Sequence, residues 1–224
     1  MRLWFVSATR LTEPAFRTES LLGRSLARIE AFRPCVIAGA YQNSRPLADV
    51  YNRAIDMARP DDQLVFVHDD VWIDDWLVAL RIGDALAAYD VVGVAGNRQR
   101  APRQAQWLFH GEQPNAAQPL SGSVAHGEPE QSMPTVFGKQ PAEVKLLDGV
   151  FLAARAGTLK DRGVRFDPRF AFHFYDLDFC RSCERAGLRM GTWPIAITHR
   201  SAGGAYGSAP WVEAYRAYVD KWGD

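Results

Sequence analysis

The chain has 224 residues, of which 47% are hydrophobic and 23% charged, and its 26 basic and 26 acidic side chains leave a formal net charge of zero. A chain of this size can bury a substantial core, and its balanced charge offers no electrostatic footprint for nucleic acid or for an anionic membrane. Three cysteines, Cys35, Cys180 and Cys183, make no disulfide framework and suit a reducing cytoplasm. The N-terminal apolar run, Leu3 to Val6, is short for a signal peptide. No run of about 18 apolar residues is present, so no transmembrane helix is expected and only peripheral membrane contact stays open.

Strands and helices alternate from the start. Leu3 to Ser7 favours a strand, and residues 16 to 32 carry Leu21, Leu22, Leu26, Ile29 and Phe32 at helical spacing. Pro34 stops that helix, and Cys35 to Ala38 is a strand. Pro46 opens a helix through Met57, with Leu47, Val50, Tyr51, Ala54 and Ile55 on one face. Leu64 to Val67 is continuously apolar, as in a parallel strand covered on both sides. Trp76 to Ala88 is helical, and Val91 to Ala95 is again a strand. This alternation predicts an α/β fold, a mostly parallel sheet flanked by helices.

From Asn97 to Glu143 the pattern lapses. The stretch is rich in Gln, Pro, Ala, Gly and Ser, with isolated anchors at Trp107, Leu108, Phe109, Val136 and Phe137, and it is expected to be a long functional or disordered insertion. Order resumes with a strand from Val144 to Leu152 around Asp148-Gly149, a helix from Asp176 to Ala186 ended by Gly187, and a strand from Leu188 to Thr198 broken by Pro194. Ser201 to Gly207 has the composition of a mobile loop, and Trp211 to Trp222 is a terminal helix. The expected organisation is one domain, with residues 1–96 as one half and 97–224, including the insertion, as the other.

Chemistry-bearing residues sit where apolar runs end, and in an open α/β sheet ligands bind beyond the C-terminal ends of strands. His68-Asp69-Asp70 follows the buried strand, and a carboxylate there can hold a divalent cation by one oxygen or, less specifically, cap the next helix. His199 ends the run from Pro194 to Thr198 beside a glycine-rich loop, a place for a metal ligand or for a hydrogen-bonded core histidine. Continuing the apolar stripe of Phe179, Cys180, Cys183 and Ala186 backwards puts Asp176 on the inward side at a helix N-terminus. The helix dipole favours an ionised carboxylate there, which suits a general base as well as an N-cap. Cys180-x-x-Cys183 without a second pair reads as packing. Gly93-x-x-Gly96 lacks the third glycine of a dinucleotide fingerprint and follows the wrong strand.

Phe66 to Val71, Val92 to Gly96, Leu147 to Phe151, Phe172 to Phe179 and Ile197 to Ser201 stand in an order that resembles family 2-like glycosyltransferases, in particular a small bacterial branch whose acidic motif reads His-x-Asp-Val. The resemblance runs from about Val36 to Gly204. It implies the A-type glycosyltransferase fold, with residues 1–96 as the nucleotide-sugar half and 97–224 on the acceptor side, and Mn²⁺ or Mg²⁺ as cofactor. It puts Asp70 in the place of the metal-binding acid, His199 in that of the late histidine completing the site, with His68 beside them, and Asp176 in that of the catalytic base, with Tyr175 where relatives carry Glu. Asn43, Asn52 and Asp69 are expected near the donor. Asp148, Trp107 and Tyr175 are expected near the acceptor or the sugar. The first strand ends Ser7-Ala8-Thr9-Arg10, unlike the family, so the nucleotide does not transfer.

The function these residues imply is a metal-dependent inverting glycosyltransferase that moves a sugar from a nucleotide-sugar to a carbohydrate or other hydroxyl acceptor. Two alternatives stand beside it. His68, Asp70 and His199 also spell the two-histidine, one-carboxylate set of non-heme iron oxygenases, which usually sit on jelly-roll folds. A non-catalytic nucleotide-sugar-binding module would fit the departures at Ser7 to Arg10 and at Tyr175. Trp107 and Phe109 either stack on a sugar face or pin the insertion to the core.

Overall fold

The structure, a computed structural model, describes residues 1–108, 119–200 and 206–223. Strand β1 (Leu3–Ala8) leads into helix α1 (Glu13–Glu19), capped by the Thr12 hydroxyl, and α2 (Leu21–Glu30). The spacing predicts a single helix here. The break falls at Ser20, whose extended backbone ends α1 while its hydroxyl accepts the Gly23 amide at 2.9 Å and caps α2. Strand β2 (Val36–Ala40), α3 (Leu47–Met57), β3 (Gln63–Val67), β4 (Val71–Ile73), α4 (Val78–Ala88), β5 (Val91–Gly93) and β6 (Ala95–Asn97) follow. The stretch expected to lack periodicity then supplies β7 (Leu120–His126), β8 (Pro134–Gly138) and β9 (Ala142–Val144). β7 and β8 carry Gly, Ser and Pro among their apolar residues, and β9 is only three residues long. β7 pairs with β6 and the distant strand Ile197–His199, β9 pairs with the distant strand Met190–Thr192, and β8 folds back on β7, so their order comes from pairing and not from an alternation the chain displays.

Beyond them lie β10 (Leu146–Leu147), β11 (Phe151–Arg155), α5 (Ala156–Asp161), α6 (Tyr175–Arg185), β12 (Met190–Thr192), β13 (Ile197–His199) and α7 (Ala209–Trp222). The strand expected over Leu188 to Thr198 is two strands in different sheets, parted at Pro194, which cannot donate to a ladder. Phe109 and Ser201 to Ala205 lie outside the described residues.

A seven-stranded sheet has the order β2-β1-β3-β11-β5-β12-β9. Strands β2, β1, β3, β5 and β12 share one direction, and β11 and β9 oppose it. The first hundred residues therefore do not form an unbroken parallel run: β11 inserts antiparallel between β3 and β5. A second, six-stranded sheet has the order β10-β6-β7-β13-β4, with β8 on β7. Strand β3 is buried along its length, and side chains of both sheets join one apolar core. The fold is thus α/β, with a mixed sheet whose strands mostly share a direction. No helix among the described residues is long and apolar enough to cross a membrane.

Candidate active site

Strand pairing brings the two histidine motifs together. Strand β3 ends at Val67, and the His68 amide donates to the Val150 carbonyl at the foot of β11. Strand β4 pairs antiparallel with β13 so that Val71 faces His199, and the Arg200 amide donates to the Asp70 carbonyl at 3.0 Å. As a result one ligand-type atom each from His68, Asp70 and His199 lies within 4.8 Å of the others.

The electrostatics of the cluster follow from this packing. The Nε2 of His199 approaches Asp70 Oδ1 to 3.3 Å, outside hydrogen-bond alignment, so this buried nitrogen has no hydrogen-bond partner. Burial favours neutral His199, but the adjacent Asp70 charge outweighs it and raises the imidazole's pKa. Burial likewise works against Asp70 ionisation, and His199 and His68 overcome it, holding the carboxyl below its ordinary value. Burial prevails at His68, whose pKa is lowered despite the neighbouring Asp70. Two imidazoles and a carboxylate converging around an unpartnered nitrogen fit a divalent transition-metal ion. The sequence-predicted ligands Asp70, His199 and His68 are thus brought to one place.

The N-terminus of α6 adjoins this cluster. Phe174 holds a left-handed φ of 64° just before the helix, with its ring against Trp211, Tyr215 and Tyr218 of α7. The turn presents Tyr175 and Asp176. Asp176 Oδ2 accepts the Gly149 amide at 3.0 Å and Oδ1 the Leu177 amide at 2.9 Å. Burial, reinforced by the Asp148 charge, pushes the Asp176 carboxyl up to about 7 against those two donors. Asp148, whose Oδ1 accepts the Val150 amide, acts electrostatically on His68, His199 and Asp176 alike. Asp178, two residues further on, is fully buried and pairs with Lys221 at 2.7 Å and the Trp222 indole at 2.9 Å, a structural tie between α6 and α7.

Several expected contacts are placed elsewhere. Both polar ends of the Asn52 side chain are engaged within the fold: its amide donates to the Phe166 carbonyl at 2.8 Å and its oxygen accepts the Phe166 amide at 3.0 Å, so it clamps a loop. Trp107 is only 8% exposed, packs edge-on against Phe137 at 5.0 Å, and anchors its segment rather than opening a face to a sugar. Its carbonyl is held by the Asn97 and Gln104 side chains. Tyr175 is buried and its hydroxyl is engaged by His68 and Gly149, so it does not reach an acceptor. Asn43 closes a local turn on Arg45 and lines a 470 Å³ cavity along β2 and α3. Asp69, half-buried, takes the Leu22 amide on its carbonyl. Cys180 and Cys183 are buried and free, as packing requires.

Two residues near the cluster carried little signal. Phe172 is 54% exposed and stacks on the His68 ring at 5.8 Å; its place in the aromatic run before Asp176 was its only mark. His126 pairs with His199 across β7 and β13 with ring centroids 6.2 Å apart, and a Gly- and Ser-rich strand concealed it.

The fold is similar to that of GalNAc-T7 solved with UDP, GalNAc and Mn²⁺, at 10% identity over 98% of this chain and 48% of that one, with a TM-score of 0.53. It is also similar to the mannosyltransferase PcManGT from Pyrobaculum calidifontis solved with GDP-Man and Mn²⁺, at 13% identity over 98% of this chain and 64% of that one, with a TM-score of 0.50. The chain spans about half the length of the first and under two thirds of the second. Identity this low shows a shared fold, and that fold is the A-type glycosyltransferase fold expected from the sequence; a jelly-roll oxygenase is set aside. No curated protein matches the sequence. Residues 36–220, spanning both histidine motifs and the α6 turn, match the glycosyltransferase-like family, and the chain belongs to that family.

Proposed function

We propose that this chain is a metal-dependent inverting glycosyltransferase that moves a sugar from a nucleotide-sugar donor to a hydroxyl acceptor, working in the cytoplasm. The observation that carries the reading is the convergence of His68, Asp70 and His199 within 4.8 Å beside a helix N-terminus bearing Asp176. The similar structures hold UDP or GDP-Man together with Mn²⁺, which supports the donor class. In this reading His68, Asp70 and His199 hold Mn²⁺ or Mg²⁺. Such an ion neutralises charge developing on a departing diphosphate.

Asp176 receives the proton of the acceptor hydroxyl as its oxygen bonds to the anomeric carbon. The bond from that carbon to the diphosphate oxygen breaks on the opposite face, so configuration inverts. A carboxyl poised near 7 is matched to that task at neutral pH. Asp148 orients hydroxyls of the sugar or acceptor, and the open ring of Phe172 gives the acceptor side an apolar platform. Asp69 and Asn43 remain the donor-side contacts within residues 1–96, while residues 97–224 carry the acceptor side and the base and also lend His199 to the ion. The raised carboxyl of Asp176 favours an enzyme over a binding module.

Calorimetry with UDP or GDP and Mn²⁺ tests the reading. The parent should bind one of these nucleotides in a Mn²⁺-dependent way, and Asp70→Ala and His199→Ala should lose that dependence while remaining folded. Equal Mn²⁺-dependent binding by both variants would show that no ion is shared there.

A further inference from the structure

Deep in the site a chain of hydrogen bonds links a candidate ligand to a backbone carbonyl. The Nε2 of His68 lies 2.7 Å from the Tyr175 hydroxyl, and that hydroxyl lies 2.8 Å from the Gly149 carbonyl oxygen. The direction of this chain follows from proton counting. A carbonyl oxygen only accepts, and a phenol has one proton to give. Tyr175 therefore donates to Gly149, and toward His68 its oxygen can only accept. The proton between Tyr175 and His68 sits on Nε2. In a neutral imidazole the remaining nitrogen, Nδ1, then keeps its lone pair.

We infer that Tyr175 is a positioning residue: it locks His68 in the Nε2–H tautomer and so reserves Nδ1 as the nitrogen offered to the cation held by His68, Asp70 and His199. The inference rests on the cation reading given above. Metal-bound histidines as a rule donate their second ring N–H to an oxygen that fixes tautomer and orientation. Here that oxygen is a phenol, itself fixed by a carbonyl. The arrangement is built around Gly149. A Cβ at that position would stand 2.3 Å from the Tyr175 hydroxyl and 2.8 Å from the Asp176 Cβ, so only glycine lets the phenol reach the carbonyl. The Tyr175 ring is held from the core side by Tyr51 and Phe166, with centroids at 6.0 and 6.2 Å. The same two-residue step at the head of α6 thus sets both the ligand, through Tyr175, and the base, through Asp176.

The test reads the tautomer directly. Two- and three-bond ¹H–¹⁵N correlations of the imidazoles, with His68 assigned by its absence in His68→Gln, should show His68 protonated on Nε2 in the parent. Tyr175→Phe keeps the ring and removes the hydroxyl. His68 should then populate both tautomers, and the Kd for Mn²⁺ alone, read from the free-ion electron paramagnetic resonance signal, should rise about 10–100-fold. A proton on Nδ1 in the parent overturns the inference, and that spectrum decides even if Tyr175→Phe does not fold. So does a folded Tyr175→Phe that binds Mn²⁺ like the parent. A parent that binds no Mn²⁺ overturns the cation reading instead, whichever tautomer His68 shows.

Discussion

Replacing Asp176 by Asn separates the proton-accepting role of this carboxyl from its place in the fold. In the native state burial and the charge of Asp148 raise it from an ordinary 3.8 to about 7. A carboxyl raised on folding costs nothing below its unfolded pKa, where both states are protonated, and costs most above its folded pKa, where both are ionised. Parental stability should therefore fall as pH rises from about 4 to about 7. The shift corresponds to a ceiling of about 4 kcal/mol, which solvent at the partly open side of the carboxyl reduces. Asn cannot ionise, so the variant should lack this slope.

Its amide also cannot accept both the Gly149 and the Leu177 amides, which costs about 1–3 kcal/mol at every pH. Comparing the stability difference between the two proteins at pH 4.5 with that at pH 8 cancels this constant, and the interval covers most of the window set by the shift. Urea unfolding at both pH values should show Asp176→Asn gaining on the parent by roughly 2–4 kcal/mol at the higher pH. Turnover should fall by about 10²–10⁴-fold with nucleotide binding retained. Parallel pH profiles for the two proteins would mean that the carboxyl is not raised, and the argument for a base poised near neutrality would fail.

Two further variants bear on residues whose expected roles the structure moved. Asn52→Ala removes both hydrogen bonds to the Phe166 backbone and should cost about 1–3 kcal/mol in urea unfolding without weakening nucleotide binding; a selective loss of nucleotide affinity at unchanged stability would restore it to the donor site. Trp107→Ala should cost about 3–5 kcal/mol, as for a buried tryptophan, and leave the acceptor KM of the folded fraction unchanged; a raised KM with an unmoved Tm would reverse that assignment.

What the sequence disclosed and what it concealed divide along local and non-local physics. The cluster was legible because His68, Asp70 and His199 each end an apolar run, and strand ends in an α/β sheet converge on one edge. Asp176 was legible from the stripe of Phe179, Cys180 and Cys183 behind it, although the dipole argument for an ionised carboxylate met stronger opposition from burial and Asp148. The antiparallel β11 was not legible. Phe151 to Arg155 looks like any buried strand, and its place between β3 and β5 depends on pairing across the sheet. Strands β7 and β9 were hidden for the same reason, since they pair with β13 and β12. Asn52 and Trp107 bear side chains that suit ligands, and only partners that the fold supplies, Phe166 and Phe137, reveal them as a clamp and an anchor. Tyr175 looked like a departure from a familiar pair until its hydroxyl was seen to donate a hydrogen bond to the carbonyl of Gly149, 26 positions earlier.

Proton and phosphorus NMR of the parent incubated with a panel of UDP- and GDP-sugars and simple glycoside acceptors, with Mn²⁺ and then with a chelator, reads metal dependence, diphosphate release and the anomeric configuration of the product in one sample. The nucleoside diphosphate and a glycoside of inverted configuration should appear with at least one donor, and chelation should stop both. Transfer that continues at full rate in the chelator, or a product that retains the donor's configuration, would contradict a metal-dependent inverting transferase built on His68, Asp70, His199 and Asp176.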